Sequence, residues 1–155
     1  MNAYLQDYAY EYAQKHNVDL TPDNNGGFRL VVDDIKIDIE KMSTQTRILF
    51  YVEIGQIPLS TFNQFVDMAL AWNATSMPLI GSFSWHKETD ALILNHTLHM
   101  ADMKSVSFEF IIETLVKKAN VWIEAIFMGS APTLPNEQYI ERQKSRTNIF
   151  GLDIL

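Results

Sequence analysis

The chain has 155 residues, 47% of them hydrophobic and 12% aromatic, with a formal net charge of −7 and no cysteine. That length and apolar content suit one packed domain rather than a disordered tail. The acid excess, with no basic cluster to offset it, disfavours nucleic acid and anionic membranes, and the lack of cysteine removes disulfides, thiolate metal sites and cysteine nucleophiles, in keeping with a reducing cytoplasm.

The opening residues, MNAYLQDYAYEYAQ, carry neither the basic start nor the apolar core of a secretory signal, and no uncharged apolar run reaches the ~18 residues of a membrane span. Residues 3–16 instead suit an amphipathic helix, because Leu5, Tyr8, Ala9 and Tyr12 recur at helical spacing, with Tyr4 flanking the stripe. VDLTPDNNGG, with Pro22 and the pair Gly26-Gly27, reads as a loop. FRLVV and IKIDI follow as two strands. A two-residue turn at Asp33-Asp34 would set Val32 opposite Ile35, Leu30 opposite Ile37 and Phe28 opposite Ile39, leaving Arg29 facing Asp38 on the other side. The strand at 48–54 is apolar on both faces: Ile48, Phe50, Val52 and Ile54 alternate with Leu49 and Tyr51. One face can serve the core, and the other asks for a different cover.

A second helix is expected at 60–73, after Pro58, with Ser60 or Thr61 as cap. Its apolar side chains, including Phe62, Phe65, Val66, Met68, Leu70 and Trp72, spread over an arc of roughly 200°, twice the ~100° stripe of a helix covered on one side. A hairpin with KETD as its loop would pair Phe83 with Leu94 and Trp85 with Leu92. The last helix, 105–128, carries Phe108, Ile111, Ile112, Leu115, Ala119, Trp122, Ile123 and Ile126 on one stripe. The expected fold is therefore α+β in the order α-β-β-β-α-β-β-α, an antiparallel sheet packed with helices over residues 1–128. Residues 129–155 form a linker, APTLPNEQ, and a C-terminal tail ending in NIFGLDIL, either frayed or docked on the domain or its partner.

Catalytic chemistry finds little support. His96 and His99 stand three apart near Asp102, but on a strand leading into a turn that spacing does not converge on one face, and it matches no zinc motif. There is no G-x-S-x-G, no H-E-x-x-H and no glycine-rich phosphate loop, and Gly26-Gly27 precedes a strand rather than a helix. No catalytic residue, metal site or cofactor is assigned. What remains is binding by surplus apolar surface. Phe65, Met68 and Trp72 exceed what one core contact uses, unless the third helix or the tail covers them. The outer sheet face offers Val31, Leu49 and Tyr51, next to the flank of the first helix at Tyr4 and Tyr8, unless that helix simply covers this face.

The succession RILFYVEIGQIP, STFNQFVDMALAWNA, IGSFSWHKETDALILNHTLHM and SVSFEFIIETLVKKANVWIEAIF, from Arg47 to Met128, resembles the second half of class I type III secretion chaperones, the CesT or Tir-chaperone family. The resemblance implies a small acidic cytoplasmic bacterial protein that keeps a secreted effector export-competent without ATP. It also implies a homodimer, whose two-fold contact would bury the Phe65, Met68 and Trp72 stripe twice. The client's N-terminal segment would wrap the dimer in extended form, by strand addition and apolar pockets, and patterning assigns this to Tyr4, Tyr8, Val31, Leu49 and Tyr51. Some members instead sequester a regulatory protein, a role the chain also permits. The alternative is a stand-alone bacterial regulatory or stress protein of similar fold, of the YbjN type.

Overall fold

The computed structural model describes residues 3–42, 46–75 and 80–135. Three helices and six strands follow in chain order: α1 (Ala3–His16), β1 (Asp19–Pro22), β2 (Phe28–Val32), β3 (Ile35–Lys41), β4 (Arg47–Gln56), α2 (Phe62–Thr75), β5 (Ser82–His86), β6 (Ala91–His99) and α3 (Ser105–Met128). The strands form one sheet in the order β1-β2-β3-β4-β6-β5, with every neighbouring pair antiparallel. All three helices contribute to a single core on one face of it. The fold is α+β, as expected.

Both predicted hairpins form in the expected register: Phe28 lies opposite Ile39, Leu30 opposite Ile37 and Val32 opposite Ile35. Phe83 lies opposite Leu94 and Trp85 opposite Leu92. Asp33 and Asp34 take φ of 51° and 64°, the left-handed pair that a two-residue hairpin turn requires and that aspartate tolerates better than a branched residue would. The sixth strand departs from expectation. Asp19–Pro22, read as loop from Pro22 and the Gly26-Gly27 pair that follows, lies along β2 as an edge strand. Its turn is held by Asp23, whose Oδ1 accepts the N–H groups of Asn25 (2.8 Å) and Gly27 (2.7 Å). Strand patterning by apolar alternation is blind to such a strand, because an edge needs no buried face.

Helix α2 begins two residues later than expected, after a 3₁₀ turn at Leu59–Thr61 whose leading residue, Pro58, supplies no side-chain cap. Helix α3 spans the expected residues and stops at Gly129, whose φ of 73° lets the N–H groups of Gly129 and Ser130 close back on Ile126 and Ala125. It crosses the sheet so that Phe108 meets Phe50 (ring centroids 5.9 Å apart) near one end and Trp122 meets Phe83 (4.5 Å) near the other. Of the tail expected over 129–155, the part beyond Pro135 lies outside the described residues.

Candidate functional site

The α2 residues expected at a dimer contact sit at different depths. Phe65 is fully buried and Trp72 nearly so. Both join an aromatic cluster within one chain: Phe65 lies 6.3 Å from Trp122, and Trp72 lies 5.7 Å from Trp122 and 6.2 Å from Phe83. Trp72 also donates its indole N–H to the carbonyl of Thr133 at 2.9 Å. Helix α3 and the start of the tail thus cover these two rings, the alternative open at the sequence level. Met68 is half-buried. The apolar surface that α2 leaves to solvent lies instead at Leu70, 62% exposed, and just ahead of the helix at Leu59, 91% exposed, with half-buried Phe62 and Val66 between them.

The outer sheet face, turned away from the helices, is organised by cross-strand rows. One row runs through Thr21, Arg29, Asp38, Tyr51, Asn95 and Ser82 across all six strands. Arg29 grips Asp38 with two bonds, Nε to Oδ1 at 2.7 Å and Nη2 to Oδ2 at 2.9 Å, a geometry that fixes both side chains and keeps the guanidinium charged. Leu49 lies between Glu40 and Thr97, and Val31 between Asp19 and Lys36. Val31, Leu49 and Tyr51 are each half-buried, and each is flanked by polar neighbours rather than joined into one apolar patch. Partial burial raises the Tyr51 hydroxyl above its ordinary pKa, and the charges of Glu53 and Asp38 raise it further, so it stays a neutral donor. A depression of about 670 Å³ opens here, lined by Thr21, Pro22, Asp23, Arg29, Asp38, Glu40 and Tyr51.

Helix α1 does not border this depression. Tyr8 stacks on Phe108 of α3 (6.4 Å, 22°) and donates its hydroxyl to the carbonyl of Met103 at 3.1 Å. Phe108 packs on Phe50, whose side chain points to the core, opposite to Tyr51. The structure therefore brings Val31, Leu49 and Tyr51 onto one face and places Tyr8 on the other. Tyr4 lies on α1, its side chain outside the described residues. Tyr12 is buried beside Phe108, and its hydroxyl pKa is pushed up to about 12, chiefly by desolvation and then by Glu113 and Glu109. At the end of α1, Lys15 and His16 both bond Glu109 of α3, at 3.0 and 2.8 Å, and the Lys15 bond leads in holding that carboxyl below its usual range.

Two polar residues escaped the sequence reading. Lys118 is buried and donates its ammonium to the carbonyls of Ile80 (2.7 Å) and Gly81 (3.2 Å), and desolvation pushes its pKa down to about 8. It falls three residues after Leu115 and four before Trp122, inside the apolar stripe, and that spacing was the available signal. Asn73 bonds the main chain of β5, a contact no local pattern announces. His96 packs its ring 6.3 Å from Phe50 and accepts the Gly81 N–H at Nδ1, away from any shared site with His99. Among the described residues no cluster of potential metal ligands occurs, and no helix is long and apolar enough to cross a membrane.

The sequence matches the profile of the Tir chaperone protein (CesT) family over residues 10–123. No curated protein sequence matches it. Among solved structures, the fold is similar to a chain of the ExsC–ExsE complex, with a TM-score of 0.64 at 16% identity over 81% of this chain and 96% of that one. It is similar also to a chain of the HopA1–SchA chaperone–effector complex, with a TM-score of 0.63 at 11% identity over 78% and 94%. YbjN from E. coli shares the fold with a TM-score of 0.55 at 16% identity over 75% and 86%. The matched profile spans well over half of the sequence, and the chain belongs to the Tir chaperone protein (CesT) family.

Proposed function

We propose that this protein is a cytoplasmic type III secretion chaperone that binds an N-terminal segment of a secreted effector, or a regulatory protein, and keeps it competent for export without nucleotide hydrolysis. The observation that carries this reading is the family match over residues 10–123, on a fold shared with a chain of a chaperone–effector complex. The family is one of chaperones, not of enzymes. The acidic balance of −7 supports a protein partner over nucleic acid or a membrane surface.

The client surface of this reading is the outer sheet face at Val31, Leu49 and Tyr51, where half-buried apolar side chains alternate with hydrogen-bonding groups beside a shallow trough that Tyr51 lines. Tyr4 and Tyr8 belong to a second stretch of the same client's path, since an extended segment can cross from one face to the other around the sheet. Dimerisation uses α2. Met68 contributes together with Leu59 and Leu70, while Phe65 and Trp72 support that surface from beneath.

The test is affinity capture from a secreting bacterium, with identification of what co-purifies. Leu49→Asp and Tyr51→Asp should abolish capture of the secreted partner with little change in far-UV spectrum or melting temperature. Capture that survives in both folded variants refutes the surface. A second reading, a regulatory or stress protein without a secreted client, is favoured by the similarity to YbjN and gains if the only partners captured are not secreted.

A further inference from the structure

In an antiparallel sheet every second residue of an edge strand turns its N–H and C=O away from its neighbour, where another extended chain can pair with them. On β1, Asp23 N–H donates inward to Gly27 O at 2.9 Å, so Thr21 and Asp19 also face β2 while Leu20 and Pro22 face outward. Pro22 has no N–H to offer. On β5 the outward residue Phe83 is already paired: its N–H donates to Asn73 Oδ1 at 2.7 Å and its carbonyl accepts from Asn73 Nδ2 at 2.9 Å. This two-bond ring is what a neighbouring strand would form. One step along, Gly81 donates its N–H to His96 Nδ1 and accepts from Lys118 Nζ at its carbonyl. Among the described residues, the outward main chain left unpaired on β5 is that of Trp85.

We propose that Asn73 and Lys118 stand in for a seventh strand, closing the β5 edge from Gly81 to Phe83. An extended partner segment then pairs main chain to main chain with β5 at no more than Trp85, and is held mainly by side-chain contacts on the outer face. The proposal rests on the reading above for the partner's extended form, but the closure itself is a property of the free protein. Its use is selectivity. A protein that handles partly unfolded chains would otherwise present an open ladder to any of them, because strand pairing reads no side chains.

The experiment follows amide exchange by NMR in the full chain, alone and with a synthetic peptide of the β6 sequence (residues 91–99) as an extended probe. In the wild type the Phe83 amide should be protected, the Trp85 amide should exchange at least about tenfold faster, and the peptide should leave Phe83 unchanged. Asn73→Ala should speed Phe83 exchange by about tenfold in dilute solution. Added peptide, or a raised protein concentration at which a second copy can pair, should restore its protection. Asn73→Asp, which keeps the acceptor for the Phe83 N–H but removes the donor to its carbonyl, should fall between. If Asn73→Ala does not fold, the wild type and Asn73→Asp decide. Equal protection of Phe83 and Trp85 in the wild type, or wild-type β5 pairing with the peptide through Phe83, overturns the closure. Capture by the Leu49 and Tyr51 variants judges the client surface separately, so either idea can fail alone.

Discussion

Lys118 makes the stability of this protein depend on pH in a direction opposite to that of most alkaline transitions. Its pKa falls from 10.5 to about 8 in the folded chain because burial penalises the ammonium form. Below pH 8 both folded and unfolded chains carry the proton, and the folded state bears the full penalty, about 3 kcal/mol from a shift of about 2.5 units at 1.36 kcal/mol each. Between pH 8 and 10.5 the unfolded chain binds more protons, so stability rises with pH. Tyr12, with its pKa raised to about 12, acts in the opposite sense only above its unfolded value of 10, which leaves a clean window beneath. Integrating the Lys118 titration from pH 8 to about pH 9.5 gives a gain of about 1.5 kcal/mol. Urea unfolding followed by tryptophan fluorescence, at one fixed protein concentration across that range, should show the midpoint climbing. Lys118→Met should abolish the slope. A wild-type midpoint that is flat or falls, or an identical slope in Lys118→Met, refutes the assignment.

The faces of the first hairpin predict a contrast in denaturant midpoints: Leu30→Ala or Ile37→Ala should cost about 2 to 5 kcal/mol from fully buried sites, whereas Arg29→Ala, losing a solvent-exposed ion pair, should cost under about 1 kcal/mol. Gly81→Ala should lower the melting temperature, since φ is +85° and a Cβ would stand 3.0 Å from Leu94 Cδ1 and 3.1 Å from Leu115 Cδ2; an unchanged melting temperature would mean this backbone relaxes freely. Leu70→Glu should give a folded monomer by light scattering, while Trp72→Glu should fail to fold, because one side chain is exposed and the other packed on Trp122. A dimeric Leu70→Glu would place the contact elsewhere.

The parts of the fold legible in the sequence were those where apolar periodicity and turn chemistry agree. Asp33-Asp34 between two alternating strands left one register that buries all six apolar side chains, and that register forms. The apolar arc of α2 was also visible, but not which element would cover it. Periodicity reports that Trp72 needs burial, not whether Trp122 of the same chain or a second copy supplies it. Helix α1 shows the same limit: the stripe at Leu5, Tyr8 and Tyr12 was plain, yet the sheet face it meets follows from its docking on Phe108, almost a hundred residues later. Asn73 was illegible because its partners are main-chain atoms, which carry no residue identity, whereas Lys118 showed as a charge inside an apolar stripe but not what it would bond.

The contacts of α1 also set the order in which the nascent chain can close. Lys15 meets Glu109 at a separation of 94 residues, and Tyr8 meets Met103 at 95. At ribosomal rates of about 5–20 residues per second, the first helix waits on the order of 5–20 s for the surface it covers. Through that interval its apolar stripe has β1 and β2 to lean on. Premature termination anywhere before the start of α3 thus releases a product that still lacks the partner of its own N-terminus. Docking of the first helix waits for the start of the last one, and a chain truncated before it should be a substrate for quality control rather than a smaller working protein.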